Sequence, residues 1–105
     1  MVARGEIWWH ELPDENRRPY LVITRDEGIA VLNQILAVPA TRTVRNIPTE
    51  VPLGLRDNMP SECVLTLDNI RAVRKSHLVE RITELDETKL EEVCAALAFA
   101  TACGE

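Results

Sequence analysis

The sequence predicts an α+β or small-barrel fold, mainly β: many short β-forming runs, then one helix. Its composition supports one body over residues 1–105, with the strands at about 4–83 and the helix at about 86–103. Apolar residues make up 46% of the chain, too many for a disordered segment and enough for one core. A domain of this length buries roughly 65% of the surface that its unfolded chain exposes. No window approaches the roughly 18 continuous apolar residues of a membrane span, so no membrane partner is expected. Met1 to Glu6 carries no apolar signal-peptide core, which makes a cytoplasmic location the expectation.

Gly5 to Leu12 reads as the first strand, with Ile7 and Trp9 on one face and Trp8 and His10 on the other. The paired tryptophans suit either base stacking or a core-and-interface role, and the second is favoured. His10 reads as an outward strand residue. Pro13 to Asn16 is a turn by composition. Leu21, Val22 and Ile23 form an apolar run too short for a helix, hence a buried strand. Pro19 opens it, because proline cannot donate to a central ladder. The proline ring also holds Arg18 extended at the strand mouth, where a guanidinium can meet a phosphate bidentately. The plainer reading of Arg17 and Arg18 is a solvated pair before an edge strand.

Arg25 to Gly28 reads as a charged turn, and Val31 to Pro39 as the third strand, with Thr41 just past its end. Arg42 to Asn46 is a polar, basic loop able to track a phosphate backbone. Thr49 to Leu53 is a short peripheral strand, marked by Pro48 and Pro52. A turn over Leu55 to Pro60 precedes the apolar strand Cys63 to Leu67. Ile70 to Arg74 alternates apolar and basic, and its arginines are read as sharing one face. His77 lies in a turn, with nothing in the sequence to pair it with His10. Asp86 caps the helix over 86–103, whose stripe is Leu90, Val93, Leu97 and Ala100 to Thr101, and Gly104 fits the C′ position.

Cys63, Cys94 and Cys103 are odd in number, far apart and without a C-x-x-C pair, which argues against a disulfide framework and a zinc site. Cys94 and Cys103, among alanines of the helix, read as small apolar residues. The net charge of −5 is unevenly spread. Lys89 and six acids (Glu84, Asp86, Glu87, Glu91, Glu92, Glu105) follow residue 81, and over residues 1–81 eleven basic and eleven acidic residues balance. A neutral body can carry a local basic groove, so an acidic pI does not exclude a nucleic-acid partner.

Arg4-Gly5-Glu6-Ile7-Trp8-Trp9, followed by Arg18-Pro19-Tyr20-Leu21-Val22-Ile23, resembles the opening of the MazF/PemK family of toxin endoribonucleases. The resemblance continues through Ala37-Val38-Pro39-Ala40-Thr41 and Cys63 to Arg71, and ends in a comparable helix. It implies an SH3-like barrel of the MazF/CcdB superfamily, a homodimer, and a single-stranded RNA substrate. It also implies a cognate antitoxin with a disordered inhibitory segment, and metal-independent cleavage without a cofactor. The family's loop before Arg-Pro is usually longer and carries Gly-Ser-Glu-Gln. This chain has Glu15, or failing it Asp14, to stand in for the loop glutamate.

The resemblance makes Arg18 and Thr41 the catalytic pair, facing each other across the site. Cleavage by a 2′-oxygen needs a proton acceptor, stabilisation of a dianionic phosphorane and protonation of the leaving 5′-oxygen. Arginine, permanently cationic and multiply donating, suits the second task. The usual solution to the others is a histidine pair, and the sequence offers none that persuades. RNA contacts are expected from Glu15, Asn16, Arg17 and Arg42, with Asp68 and Asn69 reading base edges. Two other classes compete: a gyrase-binding toxin of the CcdB type and a non-catalytic SH3-like interaction module. The first is disfavoured by the Ala102 to Glu105 ending without an aromatic residue, the second by an unexplained Arg-Pro strand.

Overall fold

Seven strands form one antiparallel sheet in the computed structural model, which describes residues 1–103. In chain order, β1 is Glu6–His10, β2 Arg18–Val22, α1 Asp26–Val31, β3 Gln34–Thr41 and β4 Glu50–Leu53. Then come β5 Cys63–Thr66, β6 Arg71–Arg74, β7 Leu78–Glu84 and α2 Glu87–Thr101. The hydrogen-bonded path runs β4-β5-β3-β2-β1-β7, with β6 also on β3. β3 is the hub. Its first half pairs with β6 and its end with β5, while β2 takes the opposite edge at Ala37 to Pro39. This is the α+β architecture that the sequence predicts.

β2 is buried on both faces, which is why its apolar run is unbroken. Leu21 joins Ile7, Val38 and Leu65 in the larger core, on which α2 packs through Val93 and Ala96. Tyr20 and Val22 point the other way, into a smaller core with Ile29, Ile35, Ala37, Val73 and Leu78. Each such side chain contributes roughly 1.5–3 kcal/mol by leaving water. Pro19 is tolerated inside the sheet because its β3 side is unpaired: that ladder begins at Tyr20.

Gly5 ties the strands to the helix. Its N–H donates to Val22 O at 2.8 Å and its carbonyl accepts from Leu85 N at 2.9 Å. Its φ is +90°, which strains any side chain, and a Cβ there would crowd Leu90 Cδ1 at 3.2 Å. Asp86 caps α2 as expected, accepting from Lys89 N at 2.8 Å, while Lys89 Nζ turns to Pro52 O at 3.1 Å. Leu90, Leu97 and Ala100 complete the helix face against the larger core. After Thr101 the backbone turns left-handed at Ala102, φ 56°. The predicted C′ residue, Gly104, lies outside the described residues.

Several local expectations are corrected. Arg25 to Gly28 is not a turn alone, and β3 does not begin at Val31. Asp26 and Glu27 suit the first turn of α1, which buries Gly28 and Ile29 on the smaller core and leaves Val31 at 78% exposure. β7 escapes sequence reading, because Val79 to Arg81 are all exposed and show no alternation. Arg71 and Arg74 do not share a face, since residues three apart in a strand point to opposite sides. Cys94 and Cys103 are exposed rather than packed, and Cys103 lies past the end of α2. No helix among the described residues is long and apolar enough to cross a membrane.

Candidate active site

Register builds the site. His10 on β1 pairs with Arg18 on β2. The β2–β3 ladder ends at Tyr20 with Pro39, and beyond it Thr41 pairs with Val64 on β5, so Arg18 and Thr41 both lie just past the end of that ladder. Opposed residues of a ladder present their side chains on one face, which places His10 and Arg18 side by side. A cleft of about 440 Å³ opens where β2 begins and β3 ends. Arg18 and Thr41 line it together with Trp9, Arg17, Arg42 and Ser61, and none of its lining residues is a carboxylate or an imidazole.

The three arginines are not equivalent. Arg17 is held, its Nη2 2.9 Å from Glu80 and its guanidinium 4.7 Å over the Trp9 ring, with Glu11 at 3.8 Å. Arg18 and Arg42 form no ion pair among the described residues. Both are exposed, and so are free to meet an anion. Thr41 Oγ1 accepts from Thr43 N at 3.2 Å, which leaves its hydroxyl hydrogen free to donate into the cleft. At Cys63, on the cleft wall, the thiolate is disfavoured. Burial foremost, then Asp57, pushes its thiol up against the opposing pull of Arg42.

The other predicted residues divide. Glu15 and Asn16 lie on the β1–β2 loop and line a second cavity of about 430 Å³ rather than the cleft. Arg17 and Arg18 border both cavities. Asp68 and Asn69 follow β5 at the end away from Cys63, so the expected acid–amide rim is not beside Arg18 within one chain. Asp68 Oδ2 instead accepts from Thr49 Oγ1 at 2.6 Å.

His10 is the largest correction. It is 5% exposed, and its ring centroid lies 4.7 Å from that of Tyr20 and 5.7 Å from that of His77. Alternation placed it correctly opposite Ile7. The mistake was to take that face for solvent, when the smaller core covers it. His77 arrives through the β1–β7 pairing of His10 with Leu78. Met59, Pro60 and Ser61 are cleft residues that sequence reading missed. Only the long-range pairing of β3 with β5 brings them there.

Among the described residues, no three His, Cys, Asp or Glu side chains converge as a metal-ligand group. Against known proteins, the chain is 36% identical over 104 residues to the probable endoribonuclease MazF5 of Mycobacterium tuberculosis, covering 98% of this chain and 95% of that one. It is 37% identical over 103 residues to the probable endoribonuclease MazF2 of the same species, covering 97% of this chain and 100% of that one. An endoribonuclease in complex with its cognate antitoxin, from a mycobacterial species, superposes with a TM-score of 0.89 at 25% identity over 100% of this chain and 99% of that one. A MazE–MazF complex of Deinococcus radiodurans gives a TM-score of 0.80 at 25% identity over 96% of each. The profile of one family matches residues 3–100, nearly the whole described chain. The chain belongs to the family of PemK-like, MazF-like toxins of type II toxin–antitoxin systems.

Proposed function

We propose that this chain is a toxin endoribonuclease that cuts single-stranded RNA sequence-selectively, and that a cognate antitoxin holds it inactive. One observation carries the reading: Arg18 and Thr41 line the same arginine-rich cleft, and no carboxylate lines it with them. The relatives named endoribonucleases give that cleft its reaction class. The 2′-oxygen attacks the adjacent phosphorus as the P–O5′ bond breaks, the 2′ proton leaves and the 5′-oxygen gains one. The products are a 2′,3′-cyclic phosphate and a 5′-hydroxyl, and no metal takes part. Arg18 offers its planar fork to the equatorial oxygens as charge builds on the phosphorane. The Thr41 hydroxyl donates to a non-bridging oxygen. Arg42 attracts the neighbouring backbone, and Trp9, with Arg17 stacked on it, offers a face to a base.

In this reading the protein works in the cytoplasm as a homodimer, with the partly covered α2 face extending a limited core. A sedimentation mass near one chain at micromolar concentration contradicts the dimer. The antitoxin supplies an acidic, apolar segment that orders over the same arginines, offsetting its entropy cost by burying them with the aromatics. The direct test of the activity is incubation with a long single-stranded transcript. Discrete fragments are expected, and an intact transcript overturns the reading.

A further inference from the structure

We propose that the second cavity is a phosphate site, built by Arg71, Tyr20 and His10, that holds the RNA link next to the one cut in the cleft. The proposal rests on the nuclease reading above. The cavity, about 430 Å³, adjoins the cleft through Arg18, which borders both. One guanidinium thus stands between two places where consecutive phosphates of a strand can lie.

The groups facing the cavity are short of acceptors. The Arg71 guanidinium forms no ion pair among the described residues, and its one side-chain contact is Nη1 to the Tyr20 hydroxyl at 3.5 Å. In that contact the phenol oxygen accepts, which leaves the Tyr20 hydroxyl hydrogen without an acceptor. Tyr20 and His10 are each 5% exposed, and His10 makes no side-chain hydrogen bond among the described residues. Their polar atoms face the open cavity, where a ligand can take the place of water. A ligand that is all acceptor and negatively charged satisfies a guanidinium fork, a phenol and an imidazole N–H together, and a phosphodiester is such a ligand.

The charge around His10 agrees. His77 faces it from the turn before β7, Arg71 from β6, Arg18 and Tyr20 from β2, and Glu15 from the loop. Burial first, then His77 and Arg71, hold the imidazole below its ordinary pKa, and Glu15 pulls the other way. Glu15 is the sole carboxylate of the lining and is exposed, so water screens it. An anion in the cavity relieves the excess of positive charge.

The experiment uses the intact protein and a 2′-O-methyl RNA, which binds without being cut, carrying a neutral methylphosphonate at one link at a time. In the wild type, one link beside the target link should lower affinity about tenfold when neutralised, the scale of one charge-assisted hydrogen bond. Arg71→Gln should bind the unmodified RNA about tenfold more weakly and be indifferent to neutralisation at that link. Tyr20→Phe should show the same pattern in smaller degree. Arg71 is exposed, so its variant keeps the fold, and a thermal melt checks this. If Arg71→Gln is as sensitive to that link as the wild type, the proposal is overturned. Failure of the RNA to bind any form of the protein overturns the nuclease reading instead, and inorganic phosphate then decides the cavity. Movement of the His10 ring resonances in the wild type, absent in Arg71→Gln, leaves a site for free phosphate and removes the RNA link as its ligand. No movement overturns the site altogether.

Discussion

The two cavities that meet at Arg18 are alike in volume, about 440 and 430 Å³, and unlike in chemistry. The cleft holds arginines, hydroxyls and the Trp9 face, with no carboxylate or imidazole. The second cavity holds His10 and Glu15, and its imidazole is held below its ordinary pKa by burial first, then by His77 and Arg71. The difference suits the two tasks proposed for them. A surface that stabilises charge in passing needs groups whose protonation does not change, and arginine provides that. A surface that answers to bound charge needs a group whose protonation can.

The comparison is broken most severely at the shared residue. Arg18→Ala should lower the cleavage rate roughly 10²-fold or more, the scale of a lost transition-state donor. Arg18→Lys should rescue poorly, because a point charge lacks the fork. An unchanged melting temperature for both variants, read by circular dichroism, separates this from misfolding. The Arg17→Glu, Arg42→Glu double variant should weaken RNA and an acidic inhibitory segment together, by roughly tenfold or more at low salt, with a flatter salt dependence for each. An inhibitor bound with unchanged affinity to that folded variant acts from another face. Thr41→Val should cost roughly tenfold or more in rate, the worth of one hydrogen bond to a charged acceptor, with RNA affinity nearly unchanged.

The second cavity gives a smaller, pH-dependent signal. His10 has its folded pKa lowered below the ordinary value of 6.5, so the unfolded chain takes up the proton first as pH falls. Stability should therefore be whole above about pH 6.5 and decline below it until the folded His10 protonates. A His10→Gln variant should lose that part of the slope, as followed by urea denaturation across pH. The smallest effect lies far from both cavities, at Glu6. Burial would raise its carboxyl, but hydrogen bonds from Trp8 Nε1 (3.0 Å), Arg81 Nε (2.8 Å) and Ala3 N (2.7 Å) outweigh that and hold it below its ordinary value. Its stabilisation is present above about pH 4.5 and lost as pH falls through the folded value. Glu6→Gln should cost roughly 1 kcal/mol at neutral pH without altering cleavage.

What could be read from the sequence follows from the range of the forces involved. Asp86 was readable as a cap because the bond it makes reaches only three residues, to Lys89. The β2 run was readable because both its faces are buried, and Arg18 because a proline fixes it at the mouth. His10 was misread because alternation reports which face a residue takes and not what covers that face. Asp68 and Ser61 lie on opposite ends of the same excursion around β5, and only the pairing of β5 with β3 decides which end reaches the cleft. That pairing is a long-range choice, made by the packed core rather than by any local pattern.

The central claim is that the charge of Arg18 and the hydroxyl of Thr41 do the chemistry without a metal. It is tested most directly by end-group analysis of a single-stranded transcript cut in the presence and absence of EDTA. The account predicts equal rates in both, with 2′,3′-cyclic phosphate and 5′-hydroxyl ends. A strict requirement for Mg²⁺, or fragments bearing 5′-phosphates, would contradict it.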